Sequence, residues 1–269
     1  MTSDNFTAAA ERIDTSRPHS ARVWDYWLGG KDNYEADRAL GDQIGQTFPH
    51  VVTTTRADRE FMHRSVAFLT ETAGIRQFLD IGTGLPTAPN THQVAQSIAP
   101  DTRVVYVDND PVVLAHARAL LTSSSEGACA YLDADLREPG RILSEAADTL
   151  DFTRPVAIML MSLLHFINDH SDARFIVSRL LEAVPSGSYL ALTHATDEIG
   201  GPAVKKAYEM WNANAVQRAR PRTNAEVTAL FGGLDIVEPG IVSPPSWRPP
   251  EGAVGPWKVP LWAGVARKP

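Results

Sequence analysis

With a single cysteine, Cys129, in 269 residues, the chain can form no intramolecular disulfide and no multi-cysteine metal site, which suits a reducing compartment. Long apolar runs are missing as well. The longest, VAIMLMSLL, has about half of the ~20 residues that a membrane-spanning helix needs. The opening MTSDNFTAAAERIDTSRPHSAR has no apolar signal core, so residues 1–19 read as a loose polar leader and the cytoplasm is the expected location. Nor is there an excess of positive charge: a net charge of −7 is poorly suited to gripping phosphate backbones, which disfavours nucleic acid as a partner. The basic clusters that do occur, Lys205-Lys206 and the RARPR run Arg218–Arg222, read as solvated helix faces, with an anionic group as the alternative partner. No second ligand set accompanies His92, so no metal site is expected.

The chain is long enough for one α/β core with an added cap. Residues 20–54, with the block SARVWDYWLGGKDNYEADR, show short helical patterns around Gly29-Gly30 and read as an N-terminal helical cap. From Thr55 the positions Phe61, Met62, Val66 and Leu69 recur at helical spacing up to a stop at Gly74. Short buried strands follow at RQFLDIG, TRVVYVDND, ACAYLDADL, PVAIMLMSLLHFI and YLALTHA. Helical patterns separate them at NTHQVAQSIAP, PVVLAHARALLTS, PGRILSEAADTL and DARFIVSRLLEAV. Asn90 with Gln93 three residues later fits a capping box, so the first of these helices should begin near Thr91. That alternation implies βαβ crossovers and a parallel sheet. Residues 196–230 read as two helices broken at Pro221 and inserted as a lid. The proline-rich end should form an antiparallel hairpin that closes the sheet.

FLDIGTG is a strand that ends in an acid and a Gly-x-Gly turn, where Gly82 and Gly84 let the backbone approach a ligand. A dinucleotide fingerprint asks for a third glycine and a pyrophosphate on the helix N-terminus; here Thr87 takes that place, and Pro86 and Pro89 keep the chain extended. This counts against a NAD-dependent oxidoreductase. It favours S-adenosylmethionine, an adenosine ligand without phosphate. Asp80 could serve its ammonium group, Asp108 its ribose hydroxyls, and Asp135 an adenine amine. Parallel strands present their carboxyl ends to one crevice, so three acids at three successive strand ends are the more specific signal.

These motifs, with IMLMSLLHFI and YLALTHA, resemble those of class I S-adenosylmethionine-dependent methyltransferases. Together with RVWDYWLGGKDNYEADR and GLPTAPNTHQVA they resemble an actinobacterial methyltransferase family whose members mostly have no assigned substrate. The resemblance implies a Rossmann-like, mostly parallel seven-stranded sheet with strand seven antiparallel. It also implies cofactor contacts at Asp80, Gly82, Gly84, Asp108 and Asp135, with their neighbours Ile81, Thr83, Asn109 and Leu136, and at Met161 after the fourth strand. Pro86 departs from the commoner third glycine, so another segment is expected to complete the pocket. The candidates are Tyr26, Lys31 and Asn33, whose polar tips flank the paired glycines, while Trp24 and Trp27 are expected to pack. His165 stands where a substrate would meet the cofactor and is the candidate general base. The reaction expected is transfer to an O or N nucleophile of a small or medium molecule, mainly by alignment. The competing reading is a module that binds S-adenosylmethionine or its demethylated product without turnover.

Overall fold

The computed structural model describes residues 14–113, 122–253 and 258–269. One sheet contains β1 (Gln77–Ile81), β2 (Arg103–Asp108), β3 (Ala128–Asp133), β4 (Ala157–Leu160), β5 (Tyr189–Ala195), β6 (Asp235–Ile236) and β7 (Leu261–Arg267), in the order β3-β2-β1-β4-β5-β7-β6. The first five pair in parallel, and β7 runs antiparallel between β5 and β6. This is the expected mostly parallel sheet with an antiparallel C-terminal hairpin. Chain order reverses between β1 and β4, so the crossovers diverge there and a crevice opens beyond the carboxyl ends of the strands.

β1 and β4 are buried at every position because helices cover both faces of the sheet, which explains apolar runs without alternation. On one face Leu79, Val105, Ile158 and Leu190 pack on α5 (Pro139–Ala146), α6 (His170–Glu182) and α8 (Asn224–Leu230). On the other face Phe78, Val104, Ala157 and Ala191 meet Phe61, Met62, Val66 and Leu69 of α3 (Val51–Glu71) and Ala95 of α4 (Thr91–Ile98). The start of α4 is the expected one: the Asn90 N–H donates to Gln93 Oε1 at 2.7 Å. Helix α3 begins four residues before the expected Thr55. Its first turns are built from valine and threonine, which are weak helix formers, yet Val51, Thr54 and Thr55 are buried against the N-terminal helices, and tertiary packing decides.

A third cluster joins α1 (Ser20–Leu28) and α2 (Glu35–Thr47) to α7 (Gly201–Asn214) through Val23, Trp27, Ile44, Phe48, Val204 and Trp211. A buried ion pair, Arg22 Nε to Asp37 Oδ2 at 3.0 Å, fastens α1 to α2. Residues 1–13 of the expected leader and residues 114–121 of the expected helix after Pro111 lie outside the described residues. No helix among the described residues is long and apolar enough to cross a membrane.

Candidate cofactor crevice and adjoining chamber

The crevice beyond β1 to β4 spans about 1180 Å³, part of it open to solvent. Its walls bring together Asp80, Ile81, Gly82, Thr83, Gly84, Asp108, Asn109, Asp135, Leu136 and Met161, which the sequence places up to 81 positions apart. The turn after β1 has a steric reason for its first glycine. Gly82 has φ +73°, and a Cβ there would lie 2.6 Å from Leu163 Cδ1. An L side chain at that position meets both an unfavourable backbone region and a packed leucine. The following loop is fixed from α3, where Arg59 donates to the Thr87 and Pro89 carbonyls, the latter at 2.9 Å. Helix α4 therefore starts only at Thr91, and the proline loop rather than a helix end faces the crevice.

The three strand-end acids differ in what already holds them. Asp108 accepts the Gly84 N–H on Oδ2 and the Asp110 N–H on Oδ1, both at 2.9 Å. Burial raises its pKa, against those two hydrogen bonds. Each carboxylate oxygen keeps a free lone pair, so the group can still accept from two hydroxyls. Asp80 accepts from Thr91 Oγ1 at 2.6 Å, and burial pushes it up to about 6 despite that bond and the nearby Arg59. Asp135 lies two residues past the end of β3, where Asn109 Nδ2 donates at 3.1 Å and Arg137 pairs with it at 3.2 Å.

The N-terminal helices contribute different residues from those expected. Tyr26, Lys31 and Asn33 do not line the crevice: Tyr26 donates to Asp42 at 2.6 Å, Lys31 is exposed, and Asn33 donates to Asp25 Oδ2 at 2.8 Å. Helical geometry turns Trp24, Asp25 and Leu28 toward the crevice instead, with His19, Ser20 and Ala21 ahead of them. The paired glycines follow from this arrangement, because a Cβ on Gly30 would fall 1.9 Å from Asp25 Oδ1. Asn33 and the Asp32 N–H then hold the other carboxylate oxygen of Asp25. His19 pairs with Asp110 at 2.8 Å and links this segment to the turn after β2.

Asp58 is a crevice residue that sequence reasoning missed. It stands four residues after Thr54 and three before Phe61, on the buried face of α3. A carboxylate among apolar positions at that spacing was the available signal. Its Oδ1 is buried without a hydrogen-bond partner. Burial pushes the group up to about 6, against hydrogen bonds from Thr193 and Ser162. Ser162, just past β4, has φ +47° and donates its N–H to Thr193 Oγ1 at 2.8 Å. A non-glycine residue in that backbone region persists only where its surroundings hold it, and such residues cluster at functional sites.

Beside the crevice lies a second hollow, spanning about 610 Å³ with part of it open to solvent and lined by Trp24, Trp27, Phe48, Phe166, Tyr208 and Trp211 among others. Trp24 and Phe166 belong to the walls of both spaces. His165 opens onto this chamber and not onto the crevice, because the 3-10 turn Leu164–Phe166 directs it there. It is buried, its Nδ1 has no partner, and burial holds it well below the ordinary histidine range, with His194 and Arg222 adding to the effect. His194 is pushed down to about 3 by burial, so it is neutral, and its Nε2 accepts from Arg222 at 2.7 Å. Arg222 is not on a solvated face. It is 1% exposed and donates to the Leu164, Ile167 and Asp169 carbonyls at 2.9, 2.6 and 3.1 Å. Among the described residues no cluster of histidine, cysteine and carboxylate could hold a metal.

A family model described as S-adenosyl methyltransferase matches residues 6–269. A DUF574 family protein from Streptomyces avermitilis is 48% identical, with a TM-score of 0.92 over 96% of this chain and 100% of its own. A protein from Thermobifida fusca, provisionally assigned as a methyltransferase, is 42% identical, with a TM-score of 0.87 over 95% and 96%. The Synechocystis magnesium protoporphyrin IX methyltransferase with bound S-adenosylhomocysteine shares the fold at 14% identity and a TM-score of 0.52, over 92% and 93%. No protein of curated function matches the chain.

Proposed function

The chain belongs to the S-adenosyl methyltransferase family, and from that premise we propose that its crevice holds S-adenosylmethionine through Asp80, Gly82, Gly84, Asp108 and Asp135, with Ile81, Thr83, Asn109, Leu136 and Met161 around them. The protein is an S-adenosylmethionine-dependent methyltransferase, and the fold is the class I fold. The two similar structures from Streptomyces and Thermobifida support placing it among actinobacterial members.

One observation carries the site assignment: acids at the ends of β1 and β2 and just past β3 share one crevice with the glycine turn. The residues present fit the cofactor. Asp108 has acceptor capacity for two ribose hydroxyls, and Ile81, Ala134 and Leu136 offer apolar wall for a base. Asp80 and Asp25 supply negative charge at the glycine end for an ammonium group. When bound, S-adenosylmethionine supplies an electrophilic methyl group on a sulfonium. The chain then has to align a nucleophile with it and exclude water, and alignment alone accounts for several kcal/mol of a barrier.

We assign the acceptor an O or N nucleophile on a small or medium molecule. Residues 20–54 act as a cap and residues 196–230 as a lid over a core spanning 55–269. The half-buried Cys129 as the sole thiol supports a cytoplasmic setting. Calorimetry with S-adenosylhomocysteine and transfer of labelled methyl from S-adenosylmethionine to a cell extract test the reading together. Binding with transfer is the expected outcome. Tight binding without transfer would favour a sensor module, and absence of binding would overturn the site.

A further inference from the structure

We propose that the aromatic chamber beside the crevice is the acceptor site, and that its occupant is a planar aromatic molecule carrying one hydroxyl or amine. The inference rests on the cofactor reading above. Six aromatic side chains wall the space, and three of their contacts are tilted ring pairs: Trp24 with Trp27 and Trp27 with Trp211, both at 6.4 Å, and Phe166 with Trp211 at 6.1 Å. Aliphatic residues would fill such a space as well. Rings, however, offer faces and edges that favour another ring beyond what buried area alone supplies.

The polar groups available to an occupant are few. Thr54 and Thr55 spend their hydroxyls on the His50 and Val51 carbonyls, both at 2.9 Å. His165 offers an unpartnered, buried Nδ1. Buried polar atoms in native proteins are nearly always partnered, so an orphan on a residue that lines a cavity points to a ligand that completes it once the ring turns toward it. Asp58, one turn of α3 beyond the chamber residues Thr54 and Thr55, lines the crevice, and its buried Oδ1 is a second atom without a partner, although Ser162 and Thr193 bond to the same carboxylate. A carboxylate oxygen there calls for a hydrogen-bond donor. The arrangement suits a ring held among the tryptophans with its hydroxyl or amine directed past Trp24 and Phe166 toward Asp58.

The test titrates 2-naphthol into the full-length protein saturated with S-adenosylhomocysteine and follows quenching of tryptophan fluorescence, since Trp24, Trp27 and Trp211 form the walls. Cyclohexanol, which has the hydroxyl without the flat ring, is the comparator, and its binding is read by the concentration at which it displaces 2-naphthol. Two variants fill the chamber from different sides, Ala207→Trp on α7 and Ala219→Leu on the segment after it. The expected result is saturable one-to-one quenching by 2-naphthol and at least tenfold weaker binding of cyclohexanol. Each filling variant should bind 2-naphthol at least tenfold more weakly and keep S-adenosylhomocysteine affinity within twofold. The proposal falls if 2-naphthol does not saturate, if cyclohexanol binds as well, or if neither variant weakens it. It falls too if both variants lose S-adenosylhomocysteine, because the two spaces would then not be separate sites. If the parent protein itself fails to bind S-adenosylhomocysteine, the cofactor reading is what fails. The acceptor role goes with it, even where 2-naphthol still saturates.

Discussion

Replacing Asp108 by alanine removes three things at once, and the structure separates them. Its two oxygens hold the Gly84 and Asp110 N–H groups at 2.9 Å, so the variant orphans both and loosens the glycine turn. It also removes the acceptor for the ribose hydroxyls. Hydrogen bonds to charged groups contribute about 1.5–3 kcal/mol each, and unpaired ligand hydroxyls cost about 1–3 kcal/mol. S-adenosylhomocysteine should therefore bind roughly 5- to 150-fold more weakly. Asp108→Asn keeps the shape, but its amide can accept only one of the two N–H bonds, so an intermediate loss is expected. Calorimetry gives the affinity, and thermal unfolding checks it independently. At a ligand concentration of 100 times the parent Kd, the parent gains about 2.7 kcal/mol of stability, whereas a variant weakened 100-fold gains only ~0.4 kcal/mol. A folded Asp108→Ala protein that binds as tightly as the parent, with an equal ligand-induced shift, would refute the ribose assignment.

Gly82→Ala should destabilise the protein by about 1–3 kcal/mol in urea unfolding, from its φ of +73° and the clash with Leu163. Adding Leu163→Ala should recover only the part owed to the clash, and full recovery would show that the backbone is unstrained. Asp58 and Asp80 sit near pKa 6 in the folded chain against about 3.8 unfolded. The stability each contributes is fully present below about pH 3.8 and is lost as pH rises through 6, up to about 3 kcal/mol each above pH 7. Asp58→Asn or Asp80→Asn should accordingly flatten the parent's decline between about pH 4 and 6, and a profile that keeps its slope would contradict the burial argument. Arg222→Met leaves three buried carbonyls without their donor and should cost about 3–5 kcal/mol. A loss under 1 kcal/mol in chemical unfolding would return that residue to the surface.

The strand ends were legible because chemistry and periodicity agree there. Asp80 and Asp108 stand at the ends of apolar runs that fold as buried strands, Asp135 follows the half-buried β3 by two residues, and a parallel sheet can only bring those ends to one side. Asn90 and Gln93 announced the start of α4 through a local bond that needs no tertiary context. What failed to show was decided by direction. Tyr26 and Asn33 are polar and close to Gly30, yet the turn of α1 puts Asp25 and Trp24 at the crevice and leaves Asn33 to brace Asp25. His165 follows the right strand, but the short turn after it faces the chamber. Arg222 looked like one of several surface arginines, because nothing in RARPR shows which of them meets three carbonyls.

That guanidinium also sets apart the two roofs over the site. The stretch following α7 is bolted through Arg222 to the turn after β4, to the start of α6 and, through His194, to β5. Raising it would tear donors from carbonyls deep in the molecule. The opposite roof is different: Arg22–Asp37 binds the first two helices to each other, Asn33 braces Asp25, His19 lies 2.8 Å from Asp110, and the apolar cluster around Trp27 and Trp211 fastens both helices to α7. The two roofs therefore differ in kind: one is pinned by hydrogen bonds from a single guanidinium, the other is held by packed aromatic rings.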